Sequence, residues 1–174
     1  MADRNVHFAT SSCGFLAAVI LTCVALIARA DDASVVGTWR LVAFEDKSPD
    51  GQSVFPYGKD PKGMLMYDAD GHMSVQIMKV PHPKVAAGDD SKVTPEEKQA
   101  LYDAYVAYFG TYRVDAEKGV VIHHVEADLA DVYIGNDEER PFDLHGDTLI
   151  LAPHWKVDGR EWLGVRVFKR ASRQ

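Results

Sequence analysis

Residues 63–80, with the sequence GMLMYDADGHMSVQIMKV, contain a pattern that is typical of β-structure. Two apolar runs, Gly63–Asp68 and His72–Val80, flank the segment Ala69-Asp70-Gly71. An Asp-Gly pair between apolar runs supplies the positive φ that a tight turn requires, so the stretch predicts an antiparallel β-hairpin. Pro81-His82-Pro83 follows and cannot continue a hydrogen-bonded ladder, so we expect the second strand to end there.

Short apolar runs between turn signals continue on both sides of this hairpin. A first strand is predicted at Gly37–Asp46, where Trp39, Leu41 and Ala43 share one face. Five further strands are predicted at 111–115, 119–127, 140–145, 148–152 and 161–169. Short strands with turns about every 8–12 residues are typical of a sandwich or a closed barrel. We therefore expect an all-β fold with one helix, an eight-stranded antiparallel barrel whose interior can hold one small ligand.

One helix is predicted between the third and fourth of these strands. Thr94 offers a hydroxyl at the N-cap, Pro95 suits the first turn, and Glu97 completes a capping box. Apolar residues follow at helical spacing, namely Leu101, Ala104, Tyr105 and Tyr108. The pattern predicts a helix over 95–108 with one apolar stripe packed on the sheet. Together with the loop 81–90, this helix can act as a lid over a ligand or, in a purely structural protein, as a plug of the barrel.

The first 30 residues have the features of a secretion signal. Sixteen uncharged residues, 13–28, follow a polar start, and Ala28-Arg29-Ala30 places small residues where a signal peptidase recognises them. We predict cleavage after Ala30, which divides the chain into a signal peptide (1–30) and a barrel domain (31–174). The alternative is an uncleaved membrane anchor, but a spanning helix needs about 20 apolar residues. The mature protein is therefore expected to be exported, periplasmic or secreted, and not to span a membrane.

Composition excludes several classes of protein. Residues 1–30 hold both cysteines, two of the 19 basic residues and one of the 26 acidic residues. The remaining 144 residues carry 17 basic and 25 acidic side chains, a formal net charge of −8 that disfavours nucleic-acid binding because phosphate backbones are repelled. Without cysteine this part of the chain has no disulfide framework or Cys₄ zinc site. Its apolar content is too high for intrinsic disorder.

Five segments share their order and spacing with a known family: Gly37–Val42, Tyr67–Gln76, Tyr108–Tyr112, His123–Glu126 and Gly146–Leu149. On the basis of these segments, the chain resembles the bacterial and fungal lipocalin-like domain family of small calycin-type barrels. The resemblance covers nearly all of residues 31–174. The resemblance implies a barrel that binds or converts a small molecule, without a defined substrate. It implies structural roles for Gly37 and Trp39, whose indole would close one barrel end beneath Arg166 or Arg170 of the last strand. The segment 130–135 departs from the family pattern, so no pocket residue is carried over from it.

His123-His124-Val125-Glu126 is the most conspicuous polar group, because its strand is apolar on both faces. Alternation puts His124 and Glu126 on one face and His123 on the other. If the face of His124 lines the barrel, Glu126 can orient its imidazole and raise its basicity, as a general base requires. The alternatives are an internal pair that only fixes the barrel and an exposed strand end. A register slip of one residue would exchange His123 for His124 in the pocket.

Methionine and tyrosine side chains suggest a binding wall. Met lines adaptable apolar pockets, and Tyr adds a polar group to an apolar wall. The candidate ligand-binding residues are Met64, Met66, Tyr67, Gln76, Tyr112, His124 and Glu126. The alternative for each Met and Tyr is that it fills the core.

Metals and cofactors are not expected. Of the six histidines after residue 30, only His123 and His124 are clustered, and adjacent strand residues point to opposite faces. The sequence contains no Gly-Xaa-Ser-Xaa-Gly nucleophile elbow and no Gly-rich phosphate loop.

Three functions remain open at this point. The favoured one is an exported protein that binds a small hydrophobic or amphipathic molecule in the barrel. The alternative is a small cofactor-independent enzyme, an isomerase, cyclase or hydrolase, with His124 and Glu126 as its acid–base pair. The third is a structural or envelope stress protein with a stable barrel, since a fold alone does not define a function.

Overall fold

The structure is a computed structural model that describes residues 34–85 and 90–172. The signal peptide predicted at 1–30 lies outside the described residues. None of the helices in the described part is long and apolar enough to cross a membrane. The described residues form one α-helix, α1 (Pro95–Asp103), and ten strands: β1 (Gly37–Lys47), β2 (Ser53–Val54), β3 (Lys62–Tyr67), β4 (His72–Met78), β5 (Tyr105–Asp115), β6 (Val120–Asp128), β7 (Asp137–His145), β8 (Thr148–Leu151), β9 (His154–Val157) and β10 (Arg160–Arg170).

Eight of these strands close into an antiparallel barrel. Their order is β1-β3-β4-β5-β6-β7-β8-β10, and β10 pairs back onto β1 to complete the ring. The short strands β2 and β9 pair with the end of β1 and the start of β10. The prediction of an eight-stranded antiparallel barrel with one helix is confirmed. The helix lies between β4 and β5, which are the third and fourth strands of the barrel wall.

A bulge in β1 changes which residues face the interior. The pairing of β1 with β10 shifts between Leu41 and Ala43, so Val42 bulges outward and is half exposed. Before the bulge Trp39 and Leu41 are buried, and after it Phe44 is the buried residue. The prediction that Ala43 shares the face of Trp39 is therefore wrong, because the extra residue reverses the alternation.

The helix is shorter than predicted. It begins as expected, with the Thr94 hydroxyl accepting from the Glu97 backbone N–H at 3.2 Å and the Glu97 carboxylate accepting from the Thr94 N–H at 3.0 Å. It ends at Asp103, and β5 begins at Tyr105, whose backbone pairs with Met78 of β4. No residue of α1 is buried, so the predicted apolar stripe does not pack on the sheet. Residues 105–109 extend the barrel wall instead, because aromatic and β-branched side chains suit a strand.

The closed end of the barrel is built around Trp39. Its indole N–H donates to the Val35 carbonyl at 2.8 Å, and the ring is fully buried. Arg170 lies over it, with the guanidinium carbon 4.1 Å from the ring centroid. The same guanidinium donates to the carbonyls of Val36 and Ser34 at 2.8 and 3.0 Å. Of the two arginines that the resemblance implied, Arg170 occupies this position.

Candidate functional site

An interior cavity of about 430 Å³ lies on the side of the barrel away from Trp39. Its floor and walls are apolar and come from six strands: Phe44, Leu65, Val75, Ile77, Val106, Leu151 and Phe168. Its mouth is formed by loop and edge residues: Pro56, Tyr57, Tyr133, Pro153, His154 and Trp155. Five polar side chains project among these groups: Asp46, Tyr108, Glu138, Arg140 and Arg166. No residue of α1 lines the cavity, so the described contacts give the helix no part in it.

Arg166 forms the first of two ion pairs in the cavity wall. Its Nη2 atom is 2.6 Å from Asp46 Oδ1, and its Nη1 donates to the Glu45 carbonyl at 2.6 Å. The guanidinium carbon lies 3.4 Å from the ring centroid of Phe44, a cation–π contact. Burial lowers the pKa of Arg166, and the negative charge of Asp46 opposes that shift. The bulge in β1 makes this pair possible because it turns Asp46 inward.

Arg140 forms the second ion pair, on β7. Its Nη1 donates to Glu138 Oε2 at 3.1 Å, and both side chains are largely buried. Burial by itself would lower the pKa of Arg140, but interactions with Tyr108 and Glu138 outweigh it, and the pKa lies above its ordinary value. The cavity therefore contains two guanidinium groups that each already face a carboxylate.

His123 lies behind the cavity wall and is fully buried. The Tyr67 hydroxyl is 2.6 Å from its Nε2, and the Tyr108 hydroxyl is 3.2 Å from its Nδ1. Burial, and then the charge of Arg140, lower the pKa of His123 from 6.5 to about 3. A neutral imidazole has one donor and one acceptor nitrogen, so one tyrosine donates to it and the other accepts from it. Tyr108 joins this buried network to the cavity.

The predicted pair His124 and Glu126 lies on the outer surface of the barrel. Both side chains are exposed, and the residue of this strand segment that faces inward is His123. His124 Nδ1 is 2.8 Å from Asp137 Oδ1, so its carboxylate neighbour is Asp137. The condition on which the acid–base pair depended, that the face of His124 lines the barrel, is therefore not met, and His123 takes the inward position that a register slip of one residue would give it. The strand alternates as predicted, but its hydrophobic pattern does not distinguish the inner face from the outer one, because Ile122 on the outer face is also buried.

The other candidate ligand-binding residues do not line the cavity either. Met64 and Met66 alternate outward on β3, because Leu65 and Tyr67 occupy its buried face. Gln76 alternates outward on β4, between the buried Val75 and Ile77, and donates to Ser74. The expectation that Met64, Met66 and Gln76 form the inner wall is thus corrected.

Tyr67 and Tyr112 do point inward, but toward the closed end. Their ring centroids are 4.5 Å apart, and Tyr67 pairs across the sheet with Gly37. The Tyr112 hydroxyl donates to the Asp68 carbonyl at 2.7 Å. These rings belong to the packed part of the barrel, below the cavity.

The sequence did contain a signal for the residues that were missed. Within the strand β7, Glu138, Arg140, Phe142 and Leu144 alternate, and the two apolar residues mark the inner face. The same alternation places Arg166 on the face of Phe168 in β10. Asp46 could not be found in this way, because the bulge at Val42 leaves no mark in the sequence pattern.

Among residues 34–85 and 90–172 no three His, Cys, Asp or Glu side chains lie close enough together to hold a metal ion. Four exposed histidines, His72, His124, His145 and His154, each lie beside one carboxylate instead. His72 lies 3.0 Å from Asp68, and His154 lies 3.3 Å from Glu161 at the cavity mouth.

A closed eight-stranded antiparallel barrel with an interior cavity near one end defines a class of small barrels that can hold one ligand. A family model described as a lipocalin-like domain matches residues 36–167. The chain therefore belongs to the lipocalin-like domain family. No curated protein matches the chain. No solved structure matches it either.

Proposed function

We propose that this protein binds a small hydrophobic or amphipathic molecule inside the barrel. The observation that supports the proposal is the cavity of about 430 Å³, with an apolar floor and a few inward polar groups. Ligand pockets in proteins typically have volumes of about 300–1,000 Å³ and this same combination of apolar walls and sparse polar groups. Apolar surface on the ligand would be removed from water against Leu65, Val75 and Phe168.

A cavity-filling substitution tests this function. Val106 lines the cavity on β5, and Val106→Trp would occupy part of its volume. Val114 lies on the same strand and is exposed, so Val114→Trp is a matched control. We expect an environment-sensitive apolar dye to bind the parent protein and Val114→Trp, and to lose about tenfold or more in affinity for Val106→Trp. Equal binding to all three proteins would contradict an interior site.

The proposal includes export with removal of residues 1–30. It is supported by the uncharged run 13–28 and by Ala28-Arg29-Ala30. Expression of the full-length sequence in a bacterium, followed by N-terminal sequencing of the exported protein, should give a chain that starts at Asp31. Substitution of both Ala28→Lys and Ala30→Lys should leave the chain unprocessed. An intact N-terminus on the parent protein would contradict the proposed cleavage.

A further inference from the structure

Two arginines in a ligand cavity would ordinarily indicate a carboxylate ligand. The guanidinium group matches the geometry of a carboxylate and binds it through paired hydrogen bonds. Here, however, Arg140 is paired with Glu138 at 3.1 Å, and Arg166 is paired with Asp46 at 2.6 Å. The positions that a ligand carboxylate would take are thus already next to side-chain carboxylates of the protein itself.

The positive and negative charges of the side chains that line the cavity sum to zero. Arg140 and Arg166 contribute two positive charges, and Glu138 and Asp46 contribute two negative charges. Of the described residues that line the cavity, His154 is the one other with an acidic or basic side chain, and it lies at the mouth, half exposed, beside the carboxylate of Glu161. The interior therefore has donors and acceptors but no net charge to compensate an ionic ligand.

We infer that the cavity selects uncharged amphipathic molecules, such as alcohols, phenols or ketones, over carboxylic acids and amines of the same size. The inference rests on the proposed function and names the ligand class of the same cavity. An ion that leaves water for a partly apolar interior loses its hydration, and only an unpaired opposite charge can offset that cost. A hydroxyl or carbonyl group is satisfied by one or two neutral hydrogen bonds.

Tyr57 is the side chain best placed to make such a bond. It lines the cavity near its mouth, and its ring lies edge-on to Phe44 with centroids 4.7 Å apart. Burial raises the pKa of Tyr57, so its hydroxyl is a neutral donor and acceptor. Within residues 34–85 and 90–172 this hydroxyl has no hydrogen-bond partner, whereas the Tyr108 hydroxyl already contacts His123.

Three probes of equal chain length test the inference. Decan-1-ol, decanoate and decylamine are titrated at about pH 7.5 into the protein produced from its full-length sequence, with affinity measured by calorimetry or dye displacement. We expect the alcohol to bind about tenfold or more tightly than either ion. Tighter binding of decanoate or decylamine than of the alcohol would overturn the inference and leave the proposed binding function intact. Binding of none of the three would count against the proposed function itself.

A substitution that unbalances the cavity gives a second, independent test. Glu138→Gln removes one negative charge and frees Arg140, so decanoate should gain about tenfold or more in affinity while decylamine should not gain. Glu139→Gln is the matched control, since Glu139 is the next residue on β7 and is exposed on the outer surface. Asp46→Asn removes the negative charge of the other ion pair, and it replaces Glu138→Gln in this test if that variant fails to fold. Unchanged decanoate affinity in a folded Glu138→Gln or Asp46→Asn protein would overturn the inference.

Discussion

Acidification should destabilise this fold through one buried side chain, His123. In the unfolded chain its imidazole titrates near the ordinary pKa of 6.5, whereas in the folded chain the pKa is about 3. Between these two values the unfolded state binds a proton that the folded state does not, so the free energy of unfolding decreases as the pH falls. The contribution is fully present above the unfolded pKa and is lost progressively toward about pH 3.

The size of the effect follows from the two pKa values. Over the whole interval the difference corresponds to about 5 kcal/mol, at about 1.4 kcal/mol for each pH unit. Between about pH 7.5 and about pH 5 the loss is about 2 kcal/mol. His123 is fully buried, so solvent does not screen this contribution.

Urea unfolding at several pH values in this interval measures the loss, and two variants isolate its source. His123→Gln removes the buried imidazole, and its stability should fall about 2 kcal/mol less than that of the parent protein across the interval. His124→Gln removes the exposed imidazole of the next residue on the same strand and should keep the steep dependence of the parent. Parallel pH profiles for the parent and His123→Gln would show that the buried imidazole is not the cause.

Three further changes have expected outcomes. Arg170→Leu removes the cation over Trp39 and should lower the free energy of urea unfolding by about 2 kcal/mol. An unchanged midpoint of the urea unfolding curve would mean that this contact contributes little. The pairing of β5 with β6 shifts at Gly110, where β6 comes so close that the methyl group of Gly110→Ala would clash with the His124 carbonyl oxygen. We expect a loss of about 3 kcal/mol or more, read from the thermal midpoint, and a fully stable variant would contradict this close approach of the two strands. Thr94→Ala removes the N-cap and should cost the helix about 1 kcal/mol. Because the helix has no buried residue, amide exchange should accelerate there while barrel unfolding stays the same, and a large fall in barrel stability would contradict that separation.

The strands of the barrel wall were predictable because their limits are set by local chemistry. The turn residues between β3 and β4, and between β7 and β8, include glycines with positive φ, a conformation that most other residues avoid. The main error in strand limits was at β5, where Tyr105 and Tyr108 fit both a helical and a strand period. The free edge of β4 decided the outcome there, because its backbone groups require hydrogen-bond partners.

The inward residues were harder to predict, since a single displaced residue exchanges the two faces of a strand. At the start of β6, from Val120 to His123, residues on both faces are buried, so hydrophobicity did not distinguish His123 from His124. In β1 the bulge at Val42 turned Asp46 inward, against the alternation that begins at Trp39. Long-range pairing determines both features, and one strand considered by itself does not contain that information.

The two ion pairs also bear on why the cavity exists. Buried ion pairs add little to stability, since the cost of removing both charges from water largely cancels their attraction. A barrel shaped only for stability would fill this volume with apolar side chains at high packing density. Here Arg140 and Arg166 extend from the wall into a cavity beside Leu65 and Phe168, and neither arginine closes it. A cavity lined by charged side chains is not the arrangement that stability alone would favour, and this favours a binding role over a purely structural one.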